Sequence, residues 1–78
     1  MTPNQCRAAR ALIDMTQPQL AEAANLGLST VVDFEKSRRS VSSAAVDAIR
    51  AALEAAGVEF IPENGSGAGV RLKKSVIM

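Results

Sequence analysis

Residues 20–35, LAEAANLGLSTVVDFE, carry the most informative pattern in this sequence. It begins as a helix, is interrupted at Asn25 and Gly27, and then resumes a helical pattern at once. Asn25 tolerates the left-handed backbone conformation that ends a helix, and Gly27 can serve as a weak N-cap for the next one. We therefore predict two short helices joined by a tight turn and not by a linker.

Capping patterns predict where the first two helices begin. TPNQ at residues 2–5 and TQPQ at residues 16–19 each place a Thr before the helix, a Pro in its first turn and a Gln three residues after the Thr. Thr and Gln at this spacing satisfy free backbone amides, and Pro costs little there because its missing N–H would have had no partner in the helix. The first helix should begin at Pro3, and the second should cover residues 17–24.

Apolar residues recur at helical spacing and predict the buried face of each helix. A fourth helix should be capped by Ser42 or Ser43 and should end at Gly57. The residues predicted to face the core are Cys6, Ala9, Ile13, Leu20, Ala21, Ala24, Leu26, Val31, Phe34, Ala45, Val46, Ile49, Ala52, Leu53 and Ala56. The opposite face of the third helix should carry Leu28, Ser29, Val32, Asp33 and Lys36.

The pattern changes after Gly57 to that of a β-hairpin. VEFI at residues 58–61 and GVRL at residues 69–72 alternate apolar and polar residues, and the turn-forming stretch PENGSGA separates them. A lone two-stranded hairpin is marginal in water and exposes unpaired backbone edges. We expect the same hairpin of a second subunit to complete it, through contacts of Val58, Phe60, Val70 and Leu72. The alternative is that the hairpin folds onto the fourth helix of its own chain.

Composition bounds the class of protein. With 78 residues, 22% of them charged and 47% hydrophobic, the chain should form one globular domain whose small core favours a second subunit. Cys6 is the only cysteine and there is no histidine, so the sequence predicts no disulfide, metal site, cofactor or enzyme activity. No apolar run suits a signal peptide or a membrane span, so we expect a cytoplasmic protein without a membrane partner.

The predicted helix, tight turn and helix form a helix-turn-helix unit, whose second helix enters the DNA major groove in known examples. TQPQLAEAANLGLSTVVDFEKSRRSVS, residues 16–42, resembles the Cro/C1-type (Xre) domain, which has Gln opening helix 2, Leu-Ala within it and an apolar-x-x-apolar-Glu end to helix 3. The resemblance covers residues 2–57. It implies a repressor-like four-helix DNA-binding domain over residues 1–57, within the mainly α fold that composition also favours. The C-terminal β-hairpin and tail, residues 58–78, lie outside the resemblance, and we expect them to serve dimerisation.

The resemblance also implies roles for individual residues. Leu28 and Val32 would contact thymine methyls. Ser29 would donate or accept a hydrogen bond at a base edge, and Asp33 would accept one from a cytosine amine. Arg10 would form an ion pair with Glu35, tying the first helix to the third. The base-reading set is Leu28, Ser29, Val32 and Asp33, and the phosphate-binding set is Thr16, Gln17, Lys36, Arg38 and Arg39, with free amides of the second helix assisting Gln17.

Structural explanations exist for several of these residues. Thr16 and Gln17 can be helix caps alone, and Asp33 can pair with basic neighbours on a solvated surface. Leu28 stands where the family often has a polar base-reading residue, so the exposed apolar face can also serve a protein contact. The net charge of only +1 predicts a weak non-specific grip on DNA.

The function implied is that of a homodimeric transcriptional regulator from a bacterium or phage, a repressor or autoregulator that binds an inverted-repeat operator in double-stranded DNA. One alternative is an antitoxin or antiactivator, whose hairpin and apolar tail SVIM at residues 75–78 bind a protein partner. The other is a helix-turn-helix scaffold that has lost DNA binding and mediates protein contacts only.

Overall fold

Reciprocal capping begins the first two helices at the predicted residues. In the computed structural model, which describes residues 1–73, the hydroxyls of Thr2 and Thr16 accept from the backbone N–H groups of Gln5 and Gln19. Each Gln side chain accepts in return from the N–H of its capping Thr. Helix α1 therefore covers Pro3–Leu12 and helix α2 covers Gln17–Ala24.

The turn after α2 also forms as predicted. Asn25 adopts the left-handed conformation, with φ 58° and ψ 44°, and the N–H of Leu26 donates to the carbonyl of Ala21 at 2.9 Å. Gly27 is the N-cap of helix α3, Leu28–Glu35, and contributes no side-chain hydrogen bond. The three residues between α2 and α3 thus satisfy the end of one helix and start the next, which confirms the helix-turn-helix unit.

Helix α4 covers Ser43–Ala55 and is capped by Ser42, whose hydroxyl accepts from the N–H of Ala45 at 3.2 Å. Its buried residues are Ile49 and Leu53. Ala56, predicted to lie on the same stripe, is exposed at the C-cap. Its placement in the core was therefore wrong, because the helix ends before that residue can face inward.

The hairpin forms with the predicted strands, β1 at Val58–Ile61 and β2 at Gly69–Leu72. The strands are antiparallel, and Val58 lies opposite Leu72 while Phe60 lies opposite Val70. The N–H of Lys73 donates to the carbonyl of Gly57 at 2.7 Å and extends the pairing by one step. Mainly helical structure followed by this hairpin confirms the predicted fold class.

The hairpin packs on its own chain. Strand β1 contacts α4, and both strands contact α1, so Val58 and Phe60 are buried with the helices in one core. This corrects their predicted place at a subunit surface, because the chain already covers both side chains. Of the four residues predicted for dimer contact, Val70 is half-buried and Leu72 is exposed, so these two keep apolar surface.

The core lies where the four helices and the inner face of β1 meet. Cys6, Ala9, Leu20, Val31 and Phe34 are buried as predicted, whereas some predicted core residues lie at the margin. Those partly buried at the margin are Ile13, Ala24, Leu26, Val46 and Ala52. None of the helices within residues 1–73 is long and apolar enough to cross a membrane. The tail SVIM, named above as a partner contact, lies outside the described residues.

Candidate nucleic-acid interface

A buried carboxylate, that of Glu35, joins the three helices of the candidate site. Glu35 ends α3 and is 1% exposed. Arg10 on α1 donates through Nε to Oε2 at 2.7 Å and through Nη2 to Oε1 at 2.8 Å. Gln17 Nε2 on α2 donates to Oε1 at 2.9 Å, and the Cys6 thiol donates to Oε2 at 3.0 Å. The ion pair implied by the resemblance is therefore present, within a larger cluster.

Electrostatics keep this carboxylate ionised. Burial by itself raises the pKa of Glu35, but the hydrogen bonds from Arg10, Cys6 and Gln17 together with the Arg10 charge outweigh it, so the pKa lies below its ordinary value. Burial has the largest effect on the pKa of the Cys6 thiol and the hydrogen bond to Glu35 the next largest. Together they raise this pKa well above its ordinary value. Cys6 therefore remains a protonated donor, a role that its apolar surroundings in the sequence did not indicate.

Arg7 extends the cluster to the protein surface. Its guanidinium donates to the backbone carbonyl of Glu35 and to the side chain of Asn4. The sequence indicated only that Arg7 faces outward from α1. In the fold, it lies at the edge of an open groove of about 590 Å³ between the end of α3 and the start of α2. The other charged and polar residues that line this groove are Arg10, Asp14, Thr16, Gln17, Glu35 and Lys36.

The start of α2 offers this groove one free backbone donor. The N–H groups of Thr16 and Gln19 are used in the capping box, and Pro18 has no N–H. Among residues 1–73, the N–H of Gln17 has no hydrogen-bond acceptor in this first turn. The expectation of several free amides is thus reduced to one, because the residues that start the helix also use its donors. The side-chain amide of Gln17, meanwhile, is engaged by Glu35.

The outward face of α3 mixes apolar and polar groups. Leu28 is 46% exposed, Ser29 is exposed, and Val32 is half-buried. Asp33 is also half-buried, and its Oδ2 accepts from Arg39 Nε at 2.8 Å. The structure thus brings the four predicted base-reading residues onto one helix, while pairing one of them with a residue predicted to bind phosphate.

The chain turns back at the end of α3, and this turn brings the basic residues beside it. Ser37 adopts a left-handed conformation with φ 53°. The N–H of Ser37 donates to the carbonyl of Phe34 at 3.2 Å, and that of Arg38 donates to the carbonyl of Asp33 at 2.9 Å. This is the hydrogen-bond pattern of a Schellman motif, with Ser where Gly is usual. Arg38 and Lys36 are both exposed.

No protein-family model matches the chain, and no curated protein matches it.

Proposed function

We propose that the protein is a sequence-specific, DNA-binding transcriptional regulator, a repressor or autoregulator, that places α3 in the DNA major groove. The observation that carries the proposal is the outward face of α3, where exposed Leu28 and Ser29 lie on the same helix that the basic residues Lys36 and Arg38 follow. Such a surface offers contacts to base edges from one part and to phosphates from another.

The groove beside α2 supports the phosphate contacts. Lys36 and Arg7 border it, and the Gln17 N–H lies at the positive end of the helix dipole. A backbone phosphate seated there would accept from that N–H and neutralise the basic side chains. The buried Glu35 cluster would hold α1, α2 and α3 in the arrangement that lines this groove.

Leu28 supports direct contact with bases. An apolar side chain with nearly half its surface in water contributes little to the core, whereas against a thymine methyl it would bury that surface. Ser29 beside it can donate or accept, and Val32 adds a second apolar contact. The preference for a DNA sequence would then depend mainly on contacts with thymine methyl groups and on a small number of hydrogen bonds to bases.

A homodimer is part of the proposal. Within residues 1–73, no third strand pairs with the edges of the two-stranded hairpin. Exposed Leu72 and half-buried Val70 supply apolar surface beside these edges. A two-fold dimer would place two α3 helices in successive major grooves, about 34 Å apart, on an operator with half-sites about 10 bp apart. Occlusion of a promoter would then be the mode of regulation.

The test is fluorescence anisotropy with DNA from upstream of the protein's own gene and with a scrambled duplex, each at several salt concentrations. The expected result is a preference of roughly 10³ for the native DNA together with a steep salt dependence. Leu28→Ala should reduce that preference. Leu12→Ala is the matched control, because Leu12 is similarly exposed, at 41%, but lies at the end of α1. Equal, weak binding of both duplexes would contradict the proposal.

A second candidate function, binding of a protein partner as an antitoxin or antiactivator, is favoured by the exposed Leu72 on the free hairpin. The exposed apolar surface is that of Leu72 on β2, since both strands of the hairpin pack on the helices. In that case a stoichiometric partner should co-purify with the protein from its native cell. Leu72→Ser should release that partner, whereas Leu28→Ala, which changes an exposed apolar residue on α3, should not. Purification of the protein without a partner would count against this candidate.

A further inference from the structure

Asp33 and Arg39 form an ion pair on the outward side of α3. Arg39 Nε donates to Asp33 Oδ2 at 2.8 Å, and the two side chains are 52% and 22% exposed, respectively. The other carboxylate oxygen, Oδ1, accepts no hydrogen bond from residues 1–73. Asp33 is thus held by one oxygen and keeps the other available at the surface proposed to meet DNA.

The ion pair offsets the negative charge of Asp33 at a surface proposed to meet phosphates. The negative charges of a carboxylate and of nearby phosphates repel each other, and at short range this repulsion would weaken binding to DNA. Arg39 neutralises the Asp33 charge within the pair. Lys36 and Arg38 are exposed and have no ion-pair partner among the described residues. These two therefore remain for phosphate contacts, whereas Arg39 is already engaged.

The backbone holds the pair in place. The N–H of Arg38 donates to the carbonyl of Asp33, so the returning segment is fastened to the main chain of the same residue whose side chain Arg39 binds. Left-handed Ser37 makes this return possible. The position of the guanidinium is therefore set by the end of α3 and does not depend on a long flexible loop.

We infer that Arg39 is a positioning residue, which orients Asp33 so that its free Oδ1 accepts a hydrogen bond from a base amino group. This inference rests on the proposed function. An ionised carboxylate can only accept hydrogen bonds. In the major groove, the amino groups that donate are N4 of cytosine and N6 of adenine, while guanine and thymine present acceptors there. Asp33 held in this way selects cytosine or adenine at one position of each half-site.

The experiment is selection of preferred sequences from a random duplex pool, followed by sequencing, with the wild-type protein and with Asp33→Ala, Arg39→Ala and Arg38→Ala. The wild type should prefer cytosine or adenine at one position by about tenfold. Asp33→Ala and Arg39→Ala should both lose that preference and retain the others. Arg38→Ala is the matched control, since it removes the same charge from the neighbouring residue, and it should weaken binding to all duplexes while retaining every base preference.

The outcomes separate the inference from the proposed function. Thermal unfolding followed by circular dichroism establishes that each variant is folded. If Arg39→Ala retains every base preference and only weakens binding, as Arg38→Ala does, Arg39 is a phosphate contact and the inference is overturned. If Asp33→Ala leaves the preferences unchanged, the inference is overturned while the proposed function stands. A wild-type pool without any preferred sequence overturns both.

Discussion

Two carboxylates on α3, only two residues apart, have opposite surroundings. Helical geometry sets Glu35 and Asp33 roughly 200° apart around the axis, so one faces the core and the other faces solvent. Glu35 accepts four hydrogen bonds and is buried, whereas Asp33 accepts one side-chain bond and is partly exposed. Each is paired with an arginine. The same chemical pair therefore holds helices together on one face of α3 and lies at the solvent-exposed surface on the other.

The two pairs should differ in energy for a physical reason. A buried charge that loses its partner has no water to replace it, so breaking the pair is costly. When an exposed pair is broken, water solvates both charges in place of the lost hydrogen bonds, so the cost is small. Salt also screens the attraction between the two charges. The comparison can be tested by breaking each pair in turn.

Glu35→Ala should have the largest effect. It leaves Arg10 without its carboxylate and removes the acceptor of Gln17 and Cys6, so we expect the free energy of unfolding to fall by about 3 kcal/mol or more. Urea denaturation followed by circular dichroism measures this loss. The double variant Arg10→Met, Glu35→Leu is the control and should lose less than Glu35→Ala, because no charge is left buried. A loss below about 1 kcal/mol for Glu35→Ala would contradict the importance of the cluster.

Acid should weaken the buried pair without any substitution. Because the pKa of Glu35 is lower in the folded protein than in the unfolded chain, the unfolded chain binds the proton first as pH falls. The contribution of Glu35 to stability is therefore complete above the unfolded value of about 4.3 and is lost as pH falls through the folded pKa.

Urea denaturation at a series of pH values between 7 and 3 measures this dependence. Glu35→Gln should flatten the decline below pH 5, because the titrating group is removed. Glu59→Gln is the comparison. Arg71 also holds the pKa of Glu59 below its ordinary value, but this pair is exposed, so Glu59→Gln should flatten the decline less than Glu35→Gln does. A decline in Glu35→Gln as steep as in the wild type would show that other carboxylates are responsible.

Replacing Gln5 should have a moderate effect on the free energy of unfolding. Gln5 is buried, whereas its counterpart Gln19 is exposed. Both occupy the same place in a capping box, but Gln5 Nε2 also donates to the carbonyls of Gly69 at 2.9 Å and Ile61 at 3.3 Å. Gln5→Ala should therefore cost about 1–2 kcal/mol more than Gln19→Ala, and it should speed amide hydrogen exchange in the hairpin. Equal losses in the two variants would mean that the contacts to the hairpin add nothing.

The smallest effect on stability should come from the exposed pair. Arg39→Ala should change the free energy of unfolding by less than about 1 kcal/mol, since exposed ion pairs contribute little. The measurement is urea denaturation at low and at high salt. The small difference in the free energy of unfolding between wild type and Arg39→Ala should be smaller at high salt. A loss as large as that of Glu35→Ala would remove the contrast between the two faces of α3 and would make Arg39 a structural residue.

Local signals were sufficient to predict the helix-turn-helix unit. Capping by Thr2 and Thr16, the left-handed Asn25 and the N-cap Gly27 act within about five residues of themselves, so their effects can be predicted from neighbouring residues. The same holds for the antiparallel hairpin and its loop. The Arg10–Glu35 pair came from the resemblance, and the structure places the two residues in contact.

Long-range contacts decided what these local signals could not. Gln5 reaches Gly69, 64 residues away, and Cys6 reaches Glu35, 29 residues away, although neither has a signal for this beyond its own helix. The placement of the hairpin is of the same kind. Its alternation indicated that Val58, Phe60, Val70 and Leu72 share one face, but not that α1 and α4 cover β1 and leave Leu72 exposed.

The order of residues along the chain was enough to predict the helices and strands of this protein and the outward face of α3, because hydrophobic periodicity and capping act over one or two helical turns. Three features became visible only in the folded chain: which polar groups are buried together, how the hairpin is covered and which arginine pairs with Asp33. These depend on how close distant parts of the chain come in three dimensions, and burial then determines whether a charge pair is shielded from water or exposed to it.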